Sequence, residues 1–457
     1  MNQSTSGYIE PSDLSLFTDR YELAMMEGYY ESGHDPLATF SVYFRHLPPD
    51  RGYAIAAGLE QVIDYVETIE FGESAIEFLT DQGFDEDFLS YLASFEFTGE
   101  MRALPEGTPV FPNEPLLEIT APILEAQLFE TFVLNQVGFQ TLVATKAARM
   151  ADVIRRRGDE QALIDFGSRR AHGTDAGLKA ARAAYVGGFD GTSNVLAGER
   201  FGVSTYGTMA HSWVQSFDTE REAFASFADV YGDDAIYLVD TYDTVRGAER
   251  AVTVTDERDV RLGGVRLDSG DLIDLSKDVS EIVGDAGIVV SSGVDEHFLR
   301  TFFDGGGVAT AFGPGTALTT SKDAPDSGVV YKLTAIEGDG ELSASMKLSP
   351  GKVIYPCEKE IYRVERDGSY RYDVLAQRDE MLEGAGEPQL TTIYEDGSCV
   401  YTPPDLGSVR ERTRRELETL PPRHRRVRDP EVYDVHISDG LETATRETER
   451  TIRDREL

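Results

Sequence analysis

The chain is short of basic charge, of cysteine and of long apolar runs, and each shortage removes a class of function. Against 82 Asp and Glu stand 43 Lys and Arg, a net charge of −39 over 457 residues. Only eight of the basic residues are lysines, at 146, 179, 277, 322, 332, 347, 352 and 359. Such a surface repels nucleic acid and anionic membranes, so neither is expected as a partner. No stretch approaches the ~20 apolar residues that a membrane span needs. The N-terminal "MNQSTSGYIEPSDLSLF" has neither a basic start nor an apolar centre, and no signal peptide is expected there. A cytoplasmic protein is the expectation. Cys357 and Cys399 lack metal or redox spacing and read as free thiols.

The acid is spread along the whole chain rather than gathered in a tail. Dispersed acid with scarce lysine suits a protein kept hydrated in high salt, where screening removes self-repulsion, as in a halophilic archaeon. It also makes the basic exceptions informative. An anionic substrate would need cations held locally against the global field, and Arg45, Arg169, Arg170, Arg266 and Lys332 lie in motif-like stretches.

Residues 12–35 read as a helix, with Asp13 or Ser15 as cap, and "ATFSVYFRHLP" alternates like a strand. An aromatic-rich helical pair, a small β layer over 99–122 and a long helical pattern over 123–157 follow. The rhythm then changes. Short β-like runs recur at 162–168, 202–212, 235–243, 264–271, 287–294 and 307–316, each closed by small or polar residues and followed by a helical stretch. Alternating strand and helix imply a parallel sheet with right-handed crossovers. Six such units imply a β/α barrel, with an open doubly wound sheet as the alternative. The resulting plan is α/β: an N-terminal α/β domain (1–125), a barrel (126–335) and a C-terminal extension (336–457). The extension's strands are expected to pack on the N-terminal domain, and 406–457, dense in Arg and Glu, reads as an exposed helix or frayed tail.

In a β/α barrel, chemistry collects at the C-terminal ends of the strands. Those ends hold Phe166, Ser168 and Arg169; Thr208 and His211; Asp240 and Asp243; Arg266, Asp268, Ser269 and Asp271; Ser292 and Gly293; and Gly313, Gly315 and Thr316. Glycines beside hydroxyls suit phosphate oxygens. Paired aspartates can hold ribose hydroxyls or a magnesium ion. Arginines grip carboxylate or phosphate. Singly these are ambiguous: "GPGT" is a common turn, "DSGD" a common helix cap, and an isolated histidine usually sits in a core. "DFGSRR" is no kinase motif, because no Gly-rich loop, HRD or VAIK precedes it. Together they describe a pocket for a phosphorylated sugar and a small anion.

In order, "FTDRYELAMMEGYY", "DFGSRRAHG", "YGTMAHSWVQSF", "DTYDT", "GVRLDSGDL", "SSGVDE" and "FGPGTALTT" resemble the motifs of nicotinate phosphoribosyltransferases. The resemblance runs from about residue 13 to about 335. It implies an N-terminal α/β domain beside an irregular β/α barrel, and an enzyme that joins nicotinate to 5-phosphoribosyl-1-pyrophosphate, yielding nicotinate mononucleotide and pyrophosphate in NAD salvage. It also implies Mg2+, ATP hydrolysis coupled through a phosphohistidine, and a homodimer with shared active sites. Matched position by position, Tyr21 resembles an aromatic residue lent by the neighbouring subunit to cover the pyridine ring, and Phe166 the residue on its other face. Arg266 is expected to pair with the nicotinate carboxylate beside Thr208, and Asp268 to hold the ribose hydroxyls. Arg169, Gly293, Gly313, Gly315 and Thr316 match the phosphate and diphosphate lining, and Arg45 a phosphate contact across the dimer. His211 stands where the phosphohistidine stands, and Asp240 is the candidate acceptor that fixes its imidazole.

Nicotinamide and quinolinate phosphoribosyltransferases, and a silent binding protein on the same fold, are the alternatives. The first would need an acid near the ring substituent, which "YGTMAH" lacks; the second, more basic residues. The third would need a loss of reactive positions that the sequence does not show.

Overall fold

The computed structural model describes residues 7–158, 160–348, 354–382, 384 and 386–457. The first six residues of the N-terminal stretch read above lie outside them. The chain forms two compact units: Met1–Thr141, Asp326–Asp405 and Arg415–Leu457 make one, Leu142–Pro325 and Leu406–Arg414 the other.

The first unit is built on antiparallel strands, with one parallel pair near its C-terminus. β1 (Leu37–Phe44), β2 (Ala54–Ile55), β3 (Glu100–Ala103), β4 (Pro109–Val110) and β5 (Pro115–Pro122) come from its first segment. The expected helix 12–35 is a 3-10 turn, Pro11–Leu16, followed by the helix Arg20–Ser32, which Gly33 ends in the left-handed region. Helices Leu59–Thr68, Glu73–Asp81 and Glu86–Ala93 supply aromatic packing, with Tyr65 stacked on Phe132 at 3.9 Å.

The second unit contains β6 (Ala162–Asp165), β7 (Gly191–Thr192), β8 (Ile236–Leu238), β9 (Gly264–Leu267), β10 (Gly287–Ser291) and β11 (Ala311–Gly313). All pair in parallel, in the order β7-β6-β11-β10-β9-β8. Runs such as "GIVVS" are almost wholly buried, as a sheet covered on both faces requires. Because β11 returns to β6, the strands follow one another round an irregular barrel.

One expected strand is missing. Over 202–212 the structure has a single bridge, Thr205 to Thr192, and then a loop ending in the short helix His211–Gln215. Only Val203 and Met209 are buried between 202 and 210, so no alternating apolar face exists to hold a strand in the wall. The barrel has no ladder between this stretch and β8.

β12 (Val329–Gly338) and β13 (Glu341–Ala344) add to the first unit's sheet, giving the order β13-β12-β1-β5-β3-β16-β17 once β16 (Thr391–Glu395) and β17 (Ser398–Cys399) are included. β14 (Lys359–Arg366), β15 (Ser369–Gln377) and β18 (Val435–Ile437) form a second sheet. The stretch read as an exposed helix or a frayed tail is helical. Helices Leu406–Thr419 and Asp439–Glu456 flank β18, and the sparse apolar residues Leu417, Leu420, Tyr433 and Leu441 are all buried. No helix among the described residues is long and apolar enough to cross a membrane.

Candidate active site

A cavity of about 310 Å³ opens at the C-terminal ends of β6, β9, β10 and β11, lined among others by Phe166, Arg169, Arg266, Asp268, Gly293 and Gly315. These residues come from four separate stretches, and barrel closure brings them together. The framework beneath them is tight. Asp165, the last residue of β6, is buried and accepts from the Gly167 N–H at 2.7 Å and the Thr192 hydroxyl at 2.8 Å. Burial still pushes its carboxyl pKa upward against those bonds. A Cβ on Gly313 would lie 2.3 Å from the Phe166 ring, so glycine is what lets that ring lie flat on the strand end.

Arg266 is the hub. Its Nε donates to Ser291 Oγ at 2.8 Å, Nη1 to Thr208 Oγ1 at 3.1 Å and Nη2 to Asp268 Oδ1 at 2.9 Å. Its guanidinium carbon lies 5.5 Å from the Phe166 ring centroid. Three of its five N–H groups are thus used, and two remain. Asp268 Oδ1 accepts a second bond, from Ser291 Oγ at 2.6 Å. Burial would raise the Asp268 carboxyl, but the Ser291 bond and Arg266 outweigh it and hold it below its ordinary value.

The other end of the cavity is cationic and glycine-rich. Arg169, Arg170 and Lys322 line it with their side chains exposed and without an ion partner among the described residues. Ser292 and Gly293, at φ +74° and +66°, make a tight left-handed turn after β10. Gly315 and Thr316 line the same end.

His211 begins its helix with a side chain 41% exposed. Nδ1 lies 3.1 Å from Thr241 Oγ1, and Nε2 4.0 Å from Asp268 Oδ2. Asp240 does not hold the imidazole. Its Oδ2 accepts from the Asp268 N–H at 2.9 Å and the Ser269 hydroxyl at 2.6 Å, fixing the "DSGD" turn. Thr241, not Asp240, meets the ring. Asp240 Oδ1 is buried without a hydrogen-bond partner, an oxygen donor that fits a hard cation such as magnesium.

Other expected residues lie elsewhere. Asp243 and Asp271 cap the helices Thr244–Arg258 and Leu272–Val283. Tyr21 and Arg45 belong to the first unit and are not among the residues lining the cavity. Tyr21 is 47% exposed, and partial burial beside Glu130 and Glu22 pushes its hydroxyl pKa up. Lys332, also in the first unit, donates to the Tyr331 carbonyl at 2.7 Å. The sequence reading missed Ser291, Thr241 and Lys322. Ser291 and Thr241 are hydroxyls at strand ends already searched, and Lys322 is one of only eight lysines, six residues past "GPGT".

Comparison with known proteins covers nearly the whole chain. The profile of the "Nicotinate phosphoribosyltransferase (NAPRTase) family" matches residues 161–350, that of its N-terminal domain 16–138, and that of its C-terminal domain 385–445. A nicotinate phosphoribosyltransferase of Mycobacterium tuberculosis is 42% identical, over 93% of this chain and 92% of its own. That of Bacillus subtilis is 40% identical, over 93% of each. The crystal structure of the human nicotinic acid phosphoribosyltransferase superposes with a TM-score of 0.83 at 29% identity, covering 94% of this chain and 99% of that one. A nicotinate-nucleotide pyrophosphorylase of Pyrococcus furiosus, at 24% identity and a TM-score of 0.73, shares the fold.

Proposed function

The chain belongs to the nicotinate phosphoribosyltransferase family, and from that premise we propose how its own residues divide the reaction. The enzyme joins nicotinate to 5-phosphoribosyl-1-pyrophosphate, forming nicotinate mononucleotide and pyrophosphate, a step of NAD salvage. Nicotinate stacks on Phe166, and its carboxylate takes the two remaining N–H groups of Arg266, with Thr208 alongside. One observation carries this reading: Arg266 is held rigidly by three bonds, at the aromatic ring, with two donors to spare. The oxygen of Asp268 that meets Arg266 is already taken by Arg266 and Ser291, and the two spare guanidinium donors match a carboxylate rather than an amide, which favours the acid over nicotinamide.

Asp268 Oδ2 holds the ribose hydroxyls. The Ser292–Gly293 turn, Gly313, Gly315, Thr316 and Arg169 receive the phosphate and diphosphate. As the C1–O bond breaks, positive charge grows on the ribose and negative charge on the departing diphosphate. The cationic end of the cavity stabilises the latter, and the pyridine nitrogen attacks C1 without needing a base. Asp240, with its partnerless oxygen, would hold magnesium, which when bound would neutralise further charge on the diphosphate.

His211 is the phosphoryl acceptor from ATP. With Nδ1 bound to Thr241, Nε2 is the free nitrogen and faces Asp268. Its lone pair attacks the γ-phosphorus, ADP leaves, and water later releases phosphate. Tyr21 and Arg45, outside the cavity lining of their own chain, serve the site of a second copy in a homodimer.

A product assay with nicotinate, nicotinamide and quinolinate, with and without ATP at high salt, tests the reading. Nicotinate mononucleotide from nicotinate alone is expected, and turnover of either other pyridine at an equal rate refutes it. Mixing Tyr21→Ala with Asp268→Ala protomers should restore activity through one intact site per mixed dimer; no recovery under subunit exchange removes the shared site.

A further inference from the structure

The two segments that line the cationic end of the cavity are fastened by one buried ammonium. The turn after β10 ends at Asp295 and is followed by Glu296; the segment after β11, a turn with the short helix Thr316–Thr319, runs to Lys322 and is followed by Asp323. Lys146, from the helix Glu130–Arg155, reaches both carboxylates, with Nζ 2.7 Å from Glu296 Oε2 and 2.6 Å from Asp323 Oδ1. Its side chain is 1% exposed, and that of Glu296 is fully buried. Arg149, one helical turn along the same face, gives its Nε to the other oxygen of Glu296 at 2.8 Å.

Glu296, His297 and Asp323 bring donor atoms close enough for a metal ion. The lysine ammonium already sits against both carboxylates, so the cation at this place is part of the chain. Burial would raise the Glu296 carboxyl, but Lys146 and Arg149 outweigh it and keep it below its ordinary value, hence ionised. Two ion pairs on one buried nitrogen tie the two segments to each other as well as to the helix, and so fix their separation.

We propose that Lys146 is a positioning residue for the phosphoribosyl donor, setting the distance between the Ser292–Asp295 and Gly313–Lys322 segments through Glu296 and Asp323. The proposal rests on the assignment of this cavity to that donor. Lys146 touches no substrate. It acts by holding Gly293 and the free cation Lys322 at a spacing that matches two anionic groups of one molecule.

The test is calorimetric binding of inorganic pyrophosphate and, separately, of nicotinate to the full-length protein. Lys146→Met is expected to weaken pyrophosphate binding about 10- to 100-fold, the scale set by small misplacements of binding groups, and to leave nicotinate binding unchanged. Lys146→Arg should recover part of the loss by restoring the charge. If Lys146→Met fails to fold because Glu296 is left underpaired, the double variant Lys146→Met/Glu296→Gln gives the same reading without that buried charge. Unchanged pyrophosphate affinity in a folded variant overturns the proposal, and so does an equal loss for nicotinate, which marks general loosening. Wild type that binds no pyrophosphate overturns it too. Wild type that binds pyrophosphate yet forms no nicotinate mononucleotide sinks the proposed activity instead, and the variant's affinity still decides the role of Lys146.

Discussion

The Nδ1 atom of His211 lies 3.1 Å from the hydroxyl of Thr241, while the carboxylate next to that threonine turns away to bind the Asp268 N–H and the Ser269 hydroxyl. The ring is therefore oriented by a neutral partner, and the two neighbours have separable effects. Incubation with ATP and magnesium should label the protein with an acid-labile, base-stable phosphate that His211→Ala abolishes. Thr241→Val should reduce the labelling rate by about fivefold, the worth of one neutral hydrogen bond near 1 kcal/mol. Asp240→Asn should spare the label and impair ribosyl transfer, because it loosens the turn that carries Asp268. Full labelling of His211→Ala would refute the phosphohistidine.

Arg266→Ala should cost nicotinate affinity about 2–5 kcal/mol, the range for removing one member of a buried charge pair. Arg266 also holds Asp268 at 2.9 Å, so the affinity for 5-phosphoribosyl-1-pyrophosphate should fall as well, though less. Steady-state KM values for both substrates check this, and an unchanged nicotinate KM removes Arg266 from the carboxylate site.

Gly313→Ala places a methyl group where the Phe166 ring lies, 2.3 Å from its nearest carbon. Overpacking of this kind typically costs about 1–3 kcal/mol of stability. The ring must tilt, so the nicotinate KM should rise more than that of the phosphorylated substrate. A larger effect on the latter would mean that Gly313 serves the phosphate alone.

The Asp268 carboxyl is held below its ordinary value in the folded protein, so its ionised form favours folding. The stability it contributes is present above the unfolded value of about 3.9 and disappears as pH falls through the lower folded value. Melting temperature measured against pH should therefore fall less steeply on the acid side in Asp268→Asn than in wild type. Identical acid limbs would mean that the Arg266 and Ser291 contacts contribute nothing to folding.

With a net charge of −39, the protein should gain thermal stability as KCl rises from ~0.1 M to ~1 M and the screening length falls from about 10 to 3 Å. A melting temperature indifferent to salt ends the halophile reading.

Much of the site is legible in the sequence for a physical reason. A buried parallel strand must be an apolar run, so the first polar residues after it mark its rim: Phe166, Arg266 and Asp268 were found that way. The same rule misplaced 202–212, where hydroxyl and glycine residues imitate a strand end but only Val203 and Met209 are buried between 202 and 210. Over 406–457 the composition left a helix and a frayed tail both open, and the helix holds because a few well-placed apolar residues, Leu417 and Leu441 among them, suffice to dock helices that are otherwise charged.

The sequence by itself determined the alternation of strand and helix, the family and most of the residues at the rim, because period and punctuation are local properties of the chain. Only the tertiary structure decided which partner each rim residue takes. Lys332 stood in a motif-like stretch and is bonded within the first unit, whereas Lys322, unremarked, lines the cavity as a free cation. Asp240 and Thr241 are adjacent in sequence, yet one fixes a turn and the other a histidine 30 residues away. Such pairings depend on how barrel closure brings distant strand ends face to face, and no spacing along the chain encodes that geometry.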